Sequence, residues 1–593
     1  MLSPHTSPHP LRRRTLLGGL AAAGIGGLGV AAGTRAGARA VPAPEAAAPD
    51  LGPNVTVFGP DTPVAEIQAK LDEVFGQQEE AQFGEGRRAL LFLPGTYAVD
   101  ATVGFYTHVA GLGLSPDDVV IEGAVHAEAD WFDGNATQNF WRCAENMSVT
   151  PSGGADRWAV SQAAPYRRMH VRGDLALDDG GWSSGGLMAD TKVDGQVRSG
   201  SQQQWLSRNT DWGGWEGSNW NMVFVGARNA PSGAFPSPPF TVVDTTPRVR
   251  EKPFLCVDDA GGFQVFVPAL RTGSAGVSWE SGTPEGEALP LGDFLIATPG
   301  TPVAEINSAL ADGKHLLVTP GVHTLDGTIE VNRAGTVVLG LGLATLVPAA
   351  GRAALRVADV AGVKIAGVLV DAGEGGSDVL MEIGPEGADA DHADDPTSLH
   401  DVFFRIGGPH AAQATHSLVV NSHHVIGDHT WLWRGDHGDG IGWETNPADT
   451  GLVVNGDDVT FYGLFAEHYQ KYQVIWNGER GRTYFFQNEM PYDPPDQGSW
   501  MNGGTRGWAA YKVADGVTDH EAWGMGSYCF FNVNPSVAAD RAFEVPDRQG
   551  VALHHMVAVS LGGGQGSIQH IVNDTGGPAD QANTVAYLTE YGG

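Results

Sequence analysis

Cysteine is scarce in this chain, with 3 residues among 593: Cys143, Cys256 and Cys529. They form no Cys-x-x-Cys pair, and three thiols allow one bridge at most. A disulfide framework is therefore excluded. A structural zinc site, which draws its ligands mainly from Cys and His at fixed spacings, is excluded as well.

Basic residues are also few, at 35 Lys and Arg against 69 Asp and Glu, which gives a formal net charge of −34. Residues 1–40 hold five of the arginines and no acid. The remaining 30 basic and 69 acidic residues leave −39 on the chain from Val41 onward. Such a surface repels phosphate backbones and anionic lipids, so we expect neither nucleic acid nor a membrane as a partner.

Long hydrophobic runs are absent beyond residue 40. Arginines 12–14 precede a Gly- and Ala-rich apolar run, and the small-x-small triplet 38–40 follows it. This pattern predicts a twin-arginine-type signal peptide over residues 1–40, followed by a Pro/Ala leader at 41–49. The alternative is a membrane anchor, but the run is short and rich in Gly. We therefore expect a secreted, extracellular protein.

The chain repeats itself. Four blocks recur in the same order, which predicts two related domains at residues 50–289 and 290–593. The matched pairs are 62–67 with 301–306, a short helical pattern after each, 91–97 with 317–323, and 111–114 with 340–343.

Glycine is abundant, at 83 residues, and short β-branched or aromatic runs alternate with turn residues. Long amphipathic helices do not intervene, which argues against βαβ winding. The fold class predicted is all-β, with two tandem right-handed parallel β-helices whose open ends are capped by the Thr-Pro entry helices. A β-sandwich or propeller is the alternative, but no fixed blade period of 40–50 residues is present.

The segment 431–500 is rich in tryptophans and acids. Glu467 and Glu489 are 22 residues apart, close to one β-helical coil, so they can stack about 4.8 Å apart on one face. Asp436 precedes Glu467 by about one more coil. Paired carboxyls beside indole rings are what hydrolysis of a glycosidic bond needs. The alternative is that these acids are solvated turn residues on an acidic surface.

A second polar patch spans residues 199–205, Ser-Gly-Ser-Gln-Gln-Gln-Trp. On a strand, Gln202 and Gln204 point the same way, and amides beside aromatic rings suit hydroxyl-rich ligands. The alternative is a buried polar ladder inside the solenoid. Because the carboxyls lie in the other half, this patch favours a site between two domains.

Three motifs together resemble glycoside hydrolase family 55, the actinobacterial and fungal β-1,3-glucanases. They are the run 199–205, Trp-Asn-Met-Val-Phe at 220–224, and Phe-Phe-Gln-Asn-Glu-Met-Pro-Tyr-Asp at 485–493. The resemblance implies two pectin-lyase-like β-helices side by side in a rib-cage shape, with the substrate cleft between them. It also implies an inverting enzyme that needs no cofactor or metal and releases glucose from the non-reducing end of laminarin-type glucan.

Carried over to this chain, the resemblance makes Glu489 the general acid and places Glu467 in the network that holds or activates the hydrolytic water. The residues implied to bind substrate are Trp433, Asp436, Tyr492, Gln202 and Gln204. The expected partner is a β-1,3-glucan, bound by a monomer.

Two alternatives stay open at this point. A non-catalytic β-helix that binds polysaccharide as an adhesin would show the same pattern of short strands and turn residues. A polysaccharide lyase is the other, although it needs a basic residue, and the segment 431–500 is dominated by acids and tryptophans.

Overall fold

The computed structural model describes residues 49–592, and the predicted signal peptide lies outside them. The described part is built almost wholly of short strands, stacked in parallel into two β-helices. The predicted fold class is confirmed.

The first β-helix contains sixteen strands of one sheet, and its central path is parallel throughout. In chain order, β1 to β16 are Val55–Phe58, Arg88–Phe92, Gly95–Tyr97, Asp100–Thr102, Thr107–Gly111, Val119–His126, Arg142–Pro151, Ala155–Arg157, Tyr166–Val171, Asp174–Ala176, Leu187–Ala189, Lys192–Arg198, Gln204–Arg208, Asp211–Glu216, Asn221–Val225 and Phe240–Val243.

Five antiparallel strands follow, in a two-stranded and a three-stranded sheet. In chain order, β17 to β21 are Thr246–Arg250, Phe254–Val257, Phe263–Pro268, Leu270–Ser274 and Gly286–Pro290. They precede the second β-helix, whose first strand begins at Phe294. The division of the chain into separate domains at residue 290 stays a prediction.

The second β-helix has a 12-stranded and a 9-stranded sheet, and its last strand alone pairs antiparallel within them. In chain order, β22 to β44 are Phe294–Ala297, His315–Val318, Val322–Thr324, Ile329–Val331, Val337–Val347, Leu355–Val357, Lys364–Asp371, Ser377–Ile383, Ser398–Ile406, Ala414–Val420, Ile426–Arg434, Ala448–Val454, Thr460–Glu467, Val474–Trp476, Gly481–Glu489, Met501–Asn502, Thr505–Arg506, Tyr511–Val513, His520–Cys529, Ala538–Glu544, Val551–Ser560, Ser567–Val572 and Val585–Gly592. Of these, β37 and β38 form a separate hairpin.

The two predicted entry helices are present as α1 (Val64–Gln78) and α2 (Val303–Ala311). Each buries its apolar face in the core of the β-helix that follows: Ile67, Leu71 and Val74 in the first, and Val303, Ile306 and Leu310 in the second. A third helical segment, α3 (Leu561–Gly564), is one turn long, and short 3₁₀ turns occupy 116–118, 130–132, 136–138 and 291–293. Among residues 49–592 no helix has both the length and the apolar character needed to cross a bilayer.

The three cysteines are buried, unbridged thiols. Cohesion between the two β-helices comes instead from a mixed interface of apolar and charged side chains. Its apolar part joins residues such as Phe140 and Trp141 of the first β-helix to Trp431 and Phe465 of the second.

The charged part of this interface is an ion network of Arg167, Arg208, Glu251, Asp401 and Asp428, all at most 2% exposed. Arg167 binds Asp401 and Asp428 at 2.8 and 2.7 Å, and Arg208 binds Asp428 at 2.9 Å. Burial alone would disfavour the ionised acid, but Arg167 holds the pKa of Asp401 below its ordinary value. The arginines belong to the first β-helix and the aspartates to the second. Burying either set without the other would leave unpaired charges, so the network forms only when both β-helices are docked.

One column of residues in the second β-helix has positive φ and is skipped in the strand register. It faces the first β-helix and consists of Gly367, Asp401, His429, Gly463, Phe485, Gly524 and His555. At Gly524, with φ of 68°, an added Cβ would come within 2.4 Å of the Val223 side chain in the first β-helix. Glycine at this position therefore permits both the backbone bend and the close approach.

We expect Gly524→Ala to destabilise the fold through left-handed strain, at about 1–2 kcal/mol, plus overpacking against Val223, at about 1–3 kcal/mol. The matched control is Gly503→Ala, which has φ of 60° but no atom within 4 Å of the added Cβ. Urea unfolding of both variants isolates the interface contribution. Equal losses of stability would mean that the contact with Val223 is not tight.

Candidate active site

The two carboxyls that the sequence placed one coil apart end neighbouring strands. Glu467 is the last residue of β34, Glu489 is the last residue of β36, and the parallel register pairs them directly. Trp433 of β32 pairs with Glu467 in the preceding coil, and Tyr528 of β40 pairs with Glu489 in the next. The predicted stacking of the two acids is confirmed.

Glu467 is 1% exposed, and both of its carboxyl oxygens accept hydrogen bonds. The Trp431 indole Nε1 donates to Oε2 at 2.8 Å, and the Gln162 amide Nε2 donates to Oε1 at 3.2 Å. Gln162 belongs to the first β-helix, so this bond crosses the interface. Burial, together with the charge of Glu489, raises the pKa of Glu467.

Glu489 is 9% exposed and accepts a hydrogen bond from the Tyr492 hydroxyl, three residues further along. His468 lies 3.9 Å from the same oxygen. Burial raises the pKa of Glu489 to about 7, which outweighs the lowering by the Tyr492 hydrogen bond, and the charge of Asp436 adds to the rise. A carboxyl with this pKa is suited to donating a proton near neutral pH.

Like charges on neighbouring coils oppose the ionisation of both acids at once. Two N–H donors on Glu467 stabilise its ionised form, whereas Glu489 receives one hydroxyl donor. The hydrogen bonds thus favour the ionised form more strongly at Glu467 than at Glu489, although burial raises the pKa of both carboxyls. One acid and one base at adjacent positions is the arrangement that glycosidic hydrolysis requires.

Asp436 lies in the turn that follows β32, beside the acid pair. Its Oδ1 accepts hydrogen bonds from Trp433 Nε1 at 3.2 Å and from His437 Nδ1 at 2.9 Å, with His468 Nε2 3.7 Å away. Burial opposes ionisation, but the two histidines hold the pKa of Asp436 below its ordinary value. Asp436 is thus a partly exposed carboxylate that can accept hydrogen bonds from hydroxyl groups.

Trp433 is 1% exposed and packs against aromatic rings of the first β-helix: Phe83 at 6.3 Å in stacked geometry, Phe140 at 6.1 Å and Trp141 at 5.6 Å. Its indole Nε1 donates to Asp436, and its ring has almost no exposed surface on which a sugar could stack. Tyr492, which is more exposed, packs edge-on against His468 and Phe530 and so forms the accessible aromatic surface beside Glu489.

The two glutamines predicted to bind substrate are both fully buried. Gln202 donates to the main-chain oxygens of Val160 and Leu177 inside the first β-helix, so its prediction as a substrate ligand is wrong. A bend at Gln203 interrupts the strand alternation and turns Gln202 inward. This is the buried polar arrangement that the sequence left open.

Gln204, by contrast, points across the interface. Its amide donates to the main-chain oxygens of Phe486 and Gly524, at 3.4 and 3.3 Å, and its Oε1 accepts from the Tyr528 hydroxyl. The side chain thus links strands β36 and β40 next to Glu489, and it has no solvent-exposed surface. A direct contact with substrate is therefore not the role of Gln204 in this structure.

Sequence reasoning missed two other amides, Gln162 and Gln487. Gln487 lies two residues before Glu489, is fully buried, and has no hydrogen-bond partner for either amide atom among residues 49–592. Gly185 of the first β-helix closes over it, since a Cβ there would lie 2.3 Å from Gln487 Oε1. Trp182, three residues before Gly185, is 62% exposed and presents an open indole face. Only the position of Gln487 within the motif 485–493 hinted at its place.

Metal-ligating side chains meet at one place in the described part of the chain, where His108, Cys143 and Glu145 have ligand atoms within 4.8 Å of one another. The Lys252 ammonium lies 2.6 Å from Glu145 and occupies the position that a cation would take. We therefore interpret this group as part of the interface, separate from the acid pair.

The chain is similar to known proteins along most of its length. Residues 294–489 match the family model of the LAM55 pectate lyase-like domain. An exo-beta-1,3-glucanase from Streptomyces sp. (strain SirexAA-E / ActE) is 54% identical over 591 residues, which cover 98% of this chain and 97% of that protein.

Two solved structures of one protein resemble this chain to the same degree. The structure of sacteLam55A from Streptomyces sp. SirexAA-E is 55% identical and has a TM-score of 0.90, over 92% of this chain and 99% of the other. A variant of the same protein, refined as an ensemble in complex with glucose, matches with the same values. With this identity along nearly its whole length, the chain belongs to the LAM55 family, glycoside hydrolase family 55.

Proposed function

We propose that this protein is an exo-acting, inverting β-1,3-glucan hydrolase that releases glucose from the non-reducing end. The observation that carries the proposal is the pair of buried carboxyls, Glu467 and Glu489, which lie in register on successive coils and both have raised pKa values. The similar Streptomyces exo-beta-1,3-glucanase supports the substrate class.

In the proposed reaction, Glu489 gives its proton to the glycosidic oxygen as the bond from C1 to that oxygen breaks. A water molecule attacks C1 from the opposite face and gives a proton to Glu467. Gln162 supports this water, because its Nε2 is bound to Glu467 while its Oε1 has no partner among residues 49–592 and can accept a hydrogen bond. Inversion follows, since the attack occurs opposite the leaving group.

The terminal glucosyl unit is proposed to lie against Asp436 and Tyr492, with Trp433 supporting Asp436 from behind. Aromatic packing between Phe83, Trp433 and His437 closes this end of the site. A site closed at one end accepts the tip of a chain, which is the basis for exo action.

We also propose that the protein is exported by the twin-arginine route and acts outside the cell as a monomer. The proposal on export rests on residues 1–40, which lie outside the described residues. An acidic extracellular protein suits a neutral, hydroxyl-rich polysaccharide, which a net charge of −39 does not repel.

Glu489→Gln should lower turnover on laminarin by about 10²–10⁴-fold, because it removes the proton donor. An aryl β-glucoside with a good leaving group should lose much less, since it scarcely needs protonation. Glu521→Gln, a surface carboxyl 3.5 Å from Arg482, is the matched control and should remain active. Near-normal laminarin hydrolysis by Glu489→Gln would refute the assignment, and a wild-type protein that binds laminarin without cleaving it would favour the adhesin alternative.

The first product from laminarin should be glucose in the α configuration. Proton NMR within the first minutes, before mutarotation, reports the anomer, and chromatography of the same sample reports chain length. An early ladder of mixed oligosaccharides would indicate an open, endo-acting groove. A β anomer would indicate retention and contradict the roles given to Glu467 and Glu489.

The alkaline limb of kcat/KM should fall as pH rises through about 7, where Glu489 loses its proton. Tyr492→Phe removes a hydrogen bond that lowers this pKa, so the limb should move to higher pH. Tyr472→Phe, whose hydroxyl lies 3.4 Å from Glu544 on the surface, is the matched control and should leave the limb in place. A limb that stays fixed or moves to lower pH in Tyr492→Phe would show that Glu489 is not the titrating acid.

A further inference from the structure

His429 lies in the middle of β32, fully buried at the interface, with φ of 72°. Its two ring nitrogens reach in opposite directions. Nδ1 lies 3.0 Å from Asp401 Oδ1, and Nε2 lies 3.0 Å from the main-chain oxygen of Gln162 in the first β-helix. The imidazole thus connects the ion network to the residue that contacts Glu467.

Both partners of the His429 ring are acceptors. Asp401 also accepts three hydrogen bonds from Arg167, at 2.8 to 3.0 Å, and Lys252 lies 3.4 Å away, so this carboxyl is ionised. A main-chain oxygen has no proton to give. Each ring nitrogen thus lies within hydrogen-bond distance of an acceptor, Asp401 on one side and the Gln162 main chain on the other. The rings of Phe403 and Phe465 pack against it in edge geometry, at 5.1 and 5.8 Å.

Gln162 needs such an anchor because its backbone is left-handed, with φ of 37°. A non-glycine residue adopts this conformation at a cost, and the surrounding contacts must hold it. The main-chain N–H of Gln162 donates to Gly185, and its oxygen accepts from Ala164 and from His429. The His429 bond is the one that reaches across from the second β-helix, which also carries Glu467.

We propose that His429 is a positioning residue for the hydrolytic side of the reaction. It fixes the Gln162 backbone relative to Glu467, so that the Gln162 amide stays on Glu467 Oε1 and its free oxygen faces the attacking water. This inference rests on the proposed function, because it gives Gln162 and Glu467 the water-holding role.

Two substitutions separate the two bonds of the ring. The amide nitrogen of Gln reaches about as far as Nε2 and that of Asn about as far as Nδ1. His429→Gln therefore keeps a donor for Gln162, whereas His429→Asn keeps a donor for Asp401. Asn tolerates a left-handed backbone better than most residues. We therefore expect His429→Asn to be the more stable variant and His429→Gln to be the more active one.

The matched control is His555→Asn. His555 occupies the same column, with φ of 58°, and also spans the interface, through its Nδ1 at 3.0 Å from Thr241 Oγ1. It contacts neither the acid pair nor Gln162. Its substitution should lower stability without a specific loss of turnover.

The experiment measures kcat and KM on laminarin and on β-glucosyl fluoride, with urea unfolding of each variant. We expect His429→Asn to lose about 10–100-fold in kcat, the scale of a displacement of about 1 Å at a reacting centre, with KM within threefold of wild type. The loss should be equal on the fluoride, which needs water activation but no acid, whereas Glu489→Gln should be spared on the fluoride. His429→Gln should retain kcat within threefold of wild type despite a lower unfolding midpoint.

The inference is overturned if His429→Asn and His429→Gln lose the same factor in kcat. It is also overturned if the loss of kcat in either variant is no larger than His555→Asn shows at a similar loss of stability. If His429→Asn does not fold, His429→Gln carries the test alone, and a loss as large as that of Glu467→Gln refutes the inference. An inactive or retaining wild-type enzyme would instead refute the proposed function. If the wild-type enzyme is inverting but the His429 variants retain kcat as His555→Asn does, only this inference is refuted.

Discussion

The bidentate contact of Arg167 with Asp401, extended through Asp428 to Arg208, is the interaction on which the rest of the structure depends. Arg167 and Arg208 come from the first β-helix, and the two aspartates come from the second. Desolvating these charges costs free energy that only the complete set of partners offsets. The network thus specifies one docked arrangement of the two β-helices, and the floor of the active site is built on that arrangement.

The acid pair shows why a parallel β-helix suits this chemistry. Strands in register repeat the same position every coil, so that two residues of the same type face the same way about 4.8 Å apart. The carboxyl groups themselves can lie further apart than the strands, because each is held by its own hydrogen bonds. Here the backbone hydrogen bonds of β34 and β36 fix the spacing of the two strands. Burial raises the pKa of both acids, and the charge of Glu489 adds to the rise at Glu467.

Much of this could be predicted from the sequence, where periodicity and local chemistry determine the outcome. The entry helices followed from duplicated motifs, and the pairing of Glu467 with Glu489 followed from a spacing of one coil. Gln202 could not be placed, because one bend at Gln203 reverses the side to which its neighbour points. Gln162 and His429 were out of reach for a different reason: their contacts join residues 305 and 267 positions apart, and no local pattern encodes them.

The reversed direction of β44 has a consequence for how the molecule behaves among its own copies. Every strand before it in the 12-stranded sheet runs parallel, so β42 alone would present an edge ready to accept another coil of the same kind. By pairing antiparallel from Val585 to Gly592, β44 occupies that edge with a strand of the wrong polarity for further parallel stacking. Among the described residues, β44 therefore covers the edge of β42 and closes it to a further parallel coil.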